Sequence, residues 1–179
     1  SGKKLGIVGF GVLGKGVAKA ASILGMEILI CESFDPNKKS EDSLDRIGFD
    51  ELLCSSDVIS LHCPLTKETD GIFNDDAFEK MKSSAILINT ARGGLVNNEA
   101  LIKAIENKSI AGAGIDVLDQ EPPSSDHLLM QKHYTNLILT PHIAWAAREA
   151  RQRALDRIAD NIEAFQKGKP INVVKPRAL

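Results

Sequence analysis

The chain has 179 residues, of which 43% are hydrophobic and 26% charged, a composition typical of a globular protein with a substantial core. The formal net charge of -2 gives no basic excess for nucleic acid, and no apolar run reaches the length of a membrane span. The three cysteines lack zinc or redox spacing, which favours reduced thiols in a cytoplasmic protein and predicts no metal site.

The chain opens with a pattern of strand, glycine-rich turn and helix. Residues 5–8 are apolar and predict a buried strand, and Gly9, Gly11 and Gly14 follow in G-x-G-x-x-G spacing. Gly9 permits a sharp turn, Gly11 lets a pyrophosphate approach the backbone, and Gly14 lets a helix over 12–24 pack closely on the sheet. The helix N-terminus offers N–H groups to phosphates. The motif predicts a dinucleotide site; a tight turn without a ligand is the alternative.

A second strand is predicted over 26–31, with Glu32 at its carboxyl end. An acid about 20 residues after the third glycine is placed to bind the adenosine ribose hydroxyls. This carboxylate favours NAD over NADP, because it would repel a 2′-phosphate. The alternative is an ordinary loop acid. Residues 33–45 read as a polar loop, whose Lys38 and Lys39 could tolerate the phosphate.

Short strands and helices alternate along the rest of the chain. We predict a helix over 50–54, a strand over 58–61, a helix over 74–81, a strand over 85–89, a helix capped by Asn97 or Asn98, strands over 110–115 and 137–139, and a last helix over 144–166. This alternation predicts an α/β fold, a Rossmann-like doubly wound parallel sheet in a three-layer αβα arrangement. We expect one domain over 1–179, with residues 167–179 either its end or a link to a further domain.

Polar residues and glycines follow most of the predicted strands. Ligands of open parallel sheets bind beyond the carboxyl ends of the strands. Those ends carry the glycine turn, Glu32, His62, Cys63, Pro64, Thr90, Ala91, Arg92, Asp116 and His142. The convergence of these residues on one edge predicts a ligand site there.

Two of these residues, Arg92 and His142, suggest acid–base chemistry on a carboxylate substrate together with Glu121. Arg92 could bind a carboxylate through two parallel hydrogen bonds, or it could be an arginine that only staples its loop. His142 could act as a general acid–base if Glu121, on the loop after the fifth strand, orients its ring and favours the charged imidazole. The sequence does not show that the two meet, and His127 and His133 receive no chemical role.

Five motifs in order resemble the NAD-binding domain of the D-isomer-specific 2-hydroxyacid dehydrogenases. They occupy residues 9–14, 60–66, 88–96, 116–123 and 140–145, and they span nearly the whole chain. Residues 142–151 are most similar to the glycerate dehydrogenase (hydroxypyruvate reductase) branch.

The resemblance implies a role for each candidate. Arg92 would hold the substrate carboxylate and keto oxygen, and His142 would shuttle the proton with Glu121 as its partner. For NAD binding, Val12 and Leu13 would give backbone contacts to the pyrophosphate, Glu32 would bind the ribose and Asp116 would help position the nicotinamide. The cofactor cleft would be lined by His62, Cys63, Pro64, Thr90, Ala91, Arg92 and His142. Glu32 replaces the more usual Asp of the family.

Members of this family are usually longer, with a substrate domain built largely from the N-terminal third. We therefore expect the cofactor half of an enzyme that acts on a small 2-keto or 2-hydroxy acid, inactive by itself and homodimeric as the full-length parent. A dinucleotide-sensing corepressor on the same scaffold is the alternative. A hydrolase or an amino-acid dehydrogenase is a weaker one, because the set of Arg92, Glu121 and His142 argues against both.

Overall fold

The structure is a computed structural model that describes residues 2–35, 37 and 43–174. The chain divides into two compact units, residues 1–142 and residues 143–179. Lys38 and Lys39 lie outside the described residues, as do residues 36 and 40–42 of the same predicted loop. Residues 175–179 of the predicted C-terminal segment are also outside them.

The first unit alternates strands and helices as predicted. Its elements are β1 (Lys4–Val8), α1 (Val12–Ile23), β2 (Glu27–Ile30), α2 (Phe49–Ser55), β3 (Val58–Leu61), α3 (Asp75–Lys80), β4 (Ile86–Asn89), α4 (Asn98–Glu106), β5 (Gly112–Ile115) and β6 (Leu137–Leu139). Short 3₁₀ turns lie at Gly93–Leu95 and Leu128–Met130. Asn97, rather than Asn98, caps α4, because its side chain accepts a hydrogen bond of 2.9 Å from the Ala100 N–H.

The six strands form one parallel sheet in the order β2-β1-β3-β4-β5-β6. Their register puts the carboxyl ends level, since Val8 is paired with Leu61, Leu61 with Asn89, Asn89 with Ile115, and Ile115 with Leu139. The next residue of each strand therefore falls on one line along the edge. That line holds Gly9, His62, Thr90, Asp116 and Thr140, with Glu32 beside Gly9 at the end of β2.

Apolar side chains cover both faces of the sheet. Leu5 and Ile7 of β1 pack with Ala18 and Ala21 of α1 on one face. The other face carries the larger core, to which β3, α2, α3 and α4 contribute; its fully buried members include Leu52, Leu53, Ile59, Leu61, Leu87 and Leu101. The Rossmann-like α/β prediction is confirmed, with helices on both faces of a parallel sheet.

The second unit contains α5, which spans Arg148–Gln166. The predicted start at Ala144 is wrong by one turn, because the Ala146 N–H closes a turn on the Ile143 carbonyl at 2.8 Å and Ala147 is not helical. The apolar stripe of this helix is solvent-exposed; it consists of Leu155, Ile158, Ile162 and Phe165. Within the described residues, no helix is both long and apolar enough to cross a membrane.

Candidate active site at the carboxyl edge of the sheet

The glycine turn after β1 has the backbone that its spacing predicts. Gly9 has φ +98°, and a Cβ there would overlap the Cys63 backbone nitrogen. A Cβ on Gly14 would overlap the Gly9 carbonyl oxygen, so α1 packs tightly against the turn. Gly11 differs, because a Cβ there would meet no atom within 4 Å. Gly11 is also the N-cap residue of α1 and has no side chain to cap the helix. The N–H groups of the first turn therefore face the open space beside Gly11.

A cleft of about 490 Å³ opens beside this turn. Its lining comes from the start of α1 and from two loops: Leu13 of α1, residues His62, Cys63, Pro64 and Leu65 after β3, and residues Thr90, Ala91 and Arg92 after β4. Strand order reverses at β1, which is where α/β sheets bind their ligands. The first two residues of α1 expose 90% and 71% of their surface, although Val12 and Leu13 are both apolar. The wall therefore offers apolar contact as well as backbone donors.

Burial keeps the wall after β3 uncharged. Burial lowers the pKa of His62, whose Nε2 lies 2.9 Å from the Ser60 hydroxyl. Burial raises the pKa of the Cys63 thiol to about 11, so this cysteine is neither a nucleophile nor a base at neutral pH. The Thr69 hydroxyl braces the loop, since it donates to the Pro64 carbonyl at 2.8 Å. Sequence reasoning missed Thr69.

Asn89 fixes the loop that carries Arg92. Its side chain is fully buried, donates to the Arg92 carbonyl at 2.9 Å and accepts from the Ala91 N–H at 3.0 Å. Arg92 itself is exposed, and its Nη1 donates to the Ala91 carbonyl at 2.6 Å. Sequence reasoning gave Asn89 no role. The available signal was an amide at the end of an otherwise apolar strand, where burial obliges a polar side chain to find partners.

Asp116 is the buried acid of the edge. Its residue surface is 4% exposed, and its Oδ1 accepts a hydrogen bond of 2.5 Å from the Thr140 hydroxyl. Its backbone carbonyl accepts the His142 N–H at 2.8 Å. The N–H of Asp116 donates to the Asn89 carbonyl at 2.9 Å. Asp116 therefore links the end of β4 with the segment that follows β6.

Glu121 and His142, which the sequence only suggested as partners, lie together. The Oε2 of Glu121 is 2.7 Å from Nδ1 of His142, and its Oε1 accepts the Leu118 N–H at 2.8 Å. The hydrogen bond from His142, followed by that from Leu118, holds the pKa of Glu121 below its usual range. His142 has φ +51°, a conformation costly for a non-glycine residue and often associated with functional sites.

The loops that follow β4 and β5 are in direct contact. A Cβ on Gly93 would overlap the backbone of Leu118 and Asp119, so only glycine allows this approach. Asp119 is held in turn by Nε2 of His127 at 2.8 Å and by the Asn98 amide at 2.9 Å. The arginine loop and the Glu121 loop are thereby fixed relative to each other.

Glu32 lies at the far end of the edge from this acid–base pair. Its side chain is exposed, and its N–H donates to the Ile47 carbonyl at 3.0 Å. With strands about 4.8 Å apart, the edge runs roughly 24 Å from β2 to β6. An extended dinucleotide fits these features: an open glycine backbone in the middle, a carboxylate at one end, and a buried Asp with a His–Glu pair at the other.

The fold and this edge define a dinucleotide-binding domain of the Rossmann type. Residues 1–144 match the family model described as "D-isomer specific 2-hydroxyacid dehydrogenase, NAD binding domain". The chain belongs to this family and is its NAD-binding domain.

Curated relatives and solved structures agree with this assignment. The chain is 48% identical over 175 residues to a glycerate dehydrogenase of Methylorubrum extorquens and covers 54% of that protein. It is 41% identical over 173 residues to a hydroxypyruvate reductase of Blautia hydrogenotrophica and covers 53% of it. These matches take in 98% and 97% of the chain. The D-lactate dehydrogenase of Lactobacillus jensenii, solved with NAD⁺, superposes with a TM-score of 0.84 at 32% identity, over 98% of this chain and 56% of that one.

The chain therefore spans about half the length of the relatives it matches. The family model confirms the family and the NAD-binding character that the sequence predicted.

Proposed function

We propose that this chain is the cofactor-binding and catalytic half of an NAD-dependent oxidoreductase that interconverts a small D-2-hydroxy acid and its 2-keto acid. The observation that carries the proposal is the contact between Glu121 and His142 at one end of a dinucleotide-binding edge. A buried Asp116 and the Arg92 loop lie on the same edge. The glycerate dehydrogenase and hydroxypyruvate reductase relatives support glycerate and hydroxypyruvate as the substrate pair.

The cofactor contacts follow the line of strand ends. We assign the pyrophosphate to the backbone of Gly9, Gly11, Val12, Leu13 and Gly14, because Gly11 leaves the helix N-terminus open. The ribose is assigned to Glu32 and the nicotinamide to Asp116, with His62, Cys63, Pro64, Thr90 and Ala91 forming the wall of the cleft. A carboxylate at Glu32 favours NAD(H), since it accepts hydrogen bonds from both ribose hydroxyls and repels a 2′-phosphate.

His142 and Arg92 have separate tasks in the reduction of a 2-keto acid. NADH, when bound, supplies the hydride for C2 of the substrate. His142 donates the proton that the keto oxygen needs; its Nδ1 is bound to Glu121, so the proton leaves from Nε2. Arg92 binds the substrate carboxylate with two parallel hydrogen bonds and orients C2. Glu121 holds the ring and stabilises its positive charge.

The wider setting is also part of the proposal. The active protein combines this chain with a substrate-binding domain, acts as a homodimer and works in the cytoplasm, where Cys31, Cys54 and Cys63 stay as thiols. The chain by itself is expected to bind NADH but to reduce little or no hydroxypyruvate. Fast reduction by the 179-residue chain would refute this division of labour.

The decisive experiment compares three variants in a longer protein that carries this chain with its substrate-binding domain. His142→Ala is expected to lower kcat by roughly 10²–10⁴-fold. Glu121→Gln is expected to keep activity at low pH and to shift the pH profile of kcat/KM towards acid, because the charged ring loses its partner. Arg92→Lys is expected to raise KM and lower kcat together, since an ammonium cannot form the paired hydrogen bonds. An unshifted Glu121→Gln profile would contradict the proton relay.

The same experiment distinguishes a corepressor from an enzyme. A protein that only senses the dinucleotide would bind NADH in its full-length form and would not turn over hydroxypyruvate or another 2-keto acid.

A further inference from the structure

Thr140 is attached to the end of β5 at two points. Its backbone N–H donates to the Ile115 carbonyl at 3.0 Å and so extends the pairing of β5 with β6 by one residue. Its hydroxyl donates to Oδ1 of Asp116 at 2.5 Å. The backbone contact fixes where the Thr140 side chain begins, so the hydroxyl meets the carboxylate from a defined direction.

The carboxylate on which this hydroxyl acts has little freedom. Asp116 is 4% exposed, and its backbone is held by the Asn89 carbonyl on one side and by the His142 N–H on the other. These backbone contacts leave rotation about the Cα–Cβ and Cβ–Cγ bonds to be fixed by side-chain contacts. The hydrogen bond from Thr140 is short, and short hydrogen bonds to carboxyl oxygens are among the stronger ones in proteins. It holds one oxygen of the Asp116 side chain and so restrains the direction of the second.

We propose that Thr140 is a positioning residue for the nicotinamide end of the cofactor. Its hydroxyl orients the Asp116 carboxylate towards the nicotinamide, and it has no part in holding the adenosine half. This inference rests on the proposed function, in which Asp116 faces the nicotinamide. Thr140 lies five strands from Glu32 along the sheet order, so its removal leaves the adenosine contacts intact.

The test compares two ligands on the 179-residue chain. NAD⁺ carries the nicotinamide, whereas ADP-ribose has the same adenosine, ribose and pyrophosphate without it. Dissociation constants for both are measured by calorimetry for the unaltered chain, Thr140→Val and Thr140→Ser. Thr135→Val serves as a matched control, because Thr135 is an exposed threonine in the loop before β6. Thermal unfolding of each variant checks that the fold is kept.

Thr140→Val is expected to weaken NAD⁺ binding about 3- to 10-fold, the loss expected for one hydrogen bond, and to leave ADP-ribose binding within about twofold. Thr140→Ser keeps the hydroxyl and is expected to bind NAD⁺ like the unaltered chain, as is Thr135→Val. Equal weakening of both ligands, or no weakening of NAD⁺, overturns the inference. If Thr140→Val unfolds, a Thr140→Ser chain that binds NAD⁺ at least 3-fold more weakly also overturns it.

Failure of the cofactor-binding part of the proposed function gives a different result. In that case the unaltered chain binds neither NAD⁺ nor ADP-ribose, and the inference falls with it. If the unaltered chain binds both ligands but Thr140→Val shows no selective loss of NAD⁺ binding, only the role of Thr140 is overturned.

Discussion

Gly9 and Gly11 are two residues apart, yet the structure predicts opposite consequences for replacing them with alanine. Gly11 has φ -85° and open space where a Cβ would lie. Alanine is a poorer N-cap than glycine by about 0.5–1 kcal/mol, and the gain of about 0.4–1 kcal/mol from a stiffer unfolded chain offsets this. We therefore expect Gly11→Ala to leave the free energy of unfolding unchanged to within about 0.5 kcal/mol.

The added methyl group would instead be felt by the ligand. If the pyrophosphate approaches the Gly11 backbone, overlap with the methyl should cost about 1–3 kcal/mol, a loss of roughly 5- to 150-fold in NAD⁺ affinity. Gly9→Ala reverses the pattern. It places a side chain at φ +98° and within 2.7 Å of the Cys63 Cα. The conformational cost of about 1–2 kcal/mol and a packing cost of about 1–3 kcal/mol predict a destabilisation of about 2–5 kcal/mol.

The assay measures urea unfolding and NAD⁺ titration on the same preparations. Gly16→Ala is the matched control, because Gly16 lies inside α1 with no atom within 4 Å of its Cβ position. It should stabilise the chain by up to about 1 kcal/mol and leave binding unchanged. A Gly11→Ala chain that binds NAD⁺ as tightly as the unaltered chain would refute the placement of the pyrophosphate.

Three further predictions concern single side chains. Carboxyl NMR should show a pKa of Glu121 below the ordinary glutamate value, and His142→Ala should raise that pKa. The stabilising contribution of Glu121 is present above the ordinary glutamate pKa and is lost as the pH falls through the lowered value. An unchanged titration would exclude the pair in solution. Asn89→Ala removes two hydrogen bonds of a buried amide and should destabilise the chain by about 2–4 kcal/mol in urea unfolding; a change under about 0.5 kcal/mol would contradict its bracing role. A thiol reagent at neutral pH should modify Cys54, which is exposed, and spare Cys31 and Cys63, whose burial raises their pKa values to about 12 and about 11. Rapid modification of all three would show that the core around the cleft opens readily.

The fold was predictable because its signals are local. The pattern of apolar residues and the turn residues between them predicted every strand of the sheet. The G-x-G-x-x-G spacing predicted the start of α1 at Val12. Boundaries were less accurate where a backbone partner decides them. Ala111 was assigned to β5, but the strand begins at Gly112, and α5 begins four residues after the predicted Ala144.

The candidate site was predictable at the level of strand ends but not at the level of contacts. The sequence placed Glu121 and His142 21 positions apart, and only the register of β5 and β6 brings them together. The bracing residues Asn89, Thr69 and Thr140 were missed for a related reason. The importance of Asn89 and Thr69 comes from their burial and from the atoms they reach, and that of Thr140 from the Asp116 oxygen that its hydroxyl reaches. These contacts depend on tertiary packing and leave no spacing pattern in the sequence.

The central claim is that NADH lies along the carboxyl edge with its nicotinamide end at Asp116 and His142. Backbone amide chemical shifts of the chain, recorded with increasing NADH, test this location directly. We predict saturable shifts at Gly11, Val12 and Leu13 and at the residues around Asp116 and His142, with none along the opposite edge where β4 begins at Ile86. Shifts confined to one end of the carboxyl edge, or shifts at the opposite edge, would contradict the account.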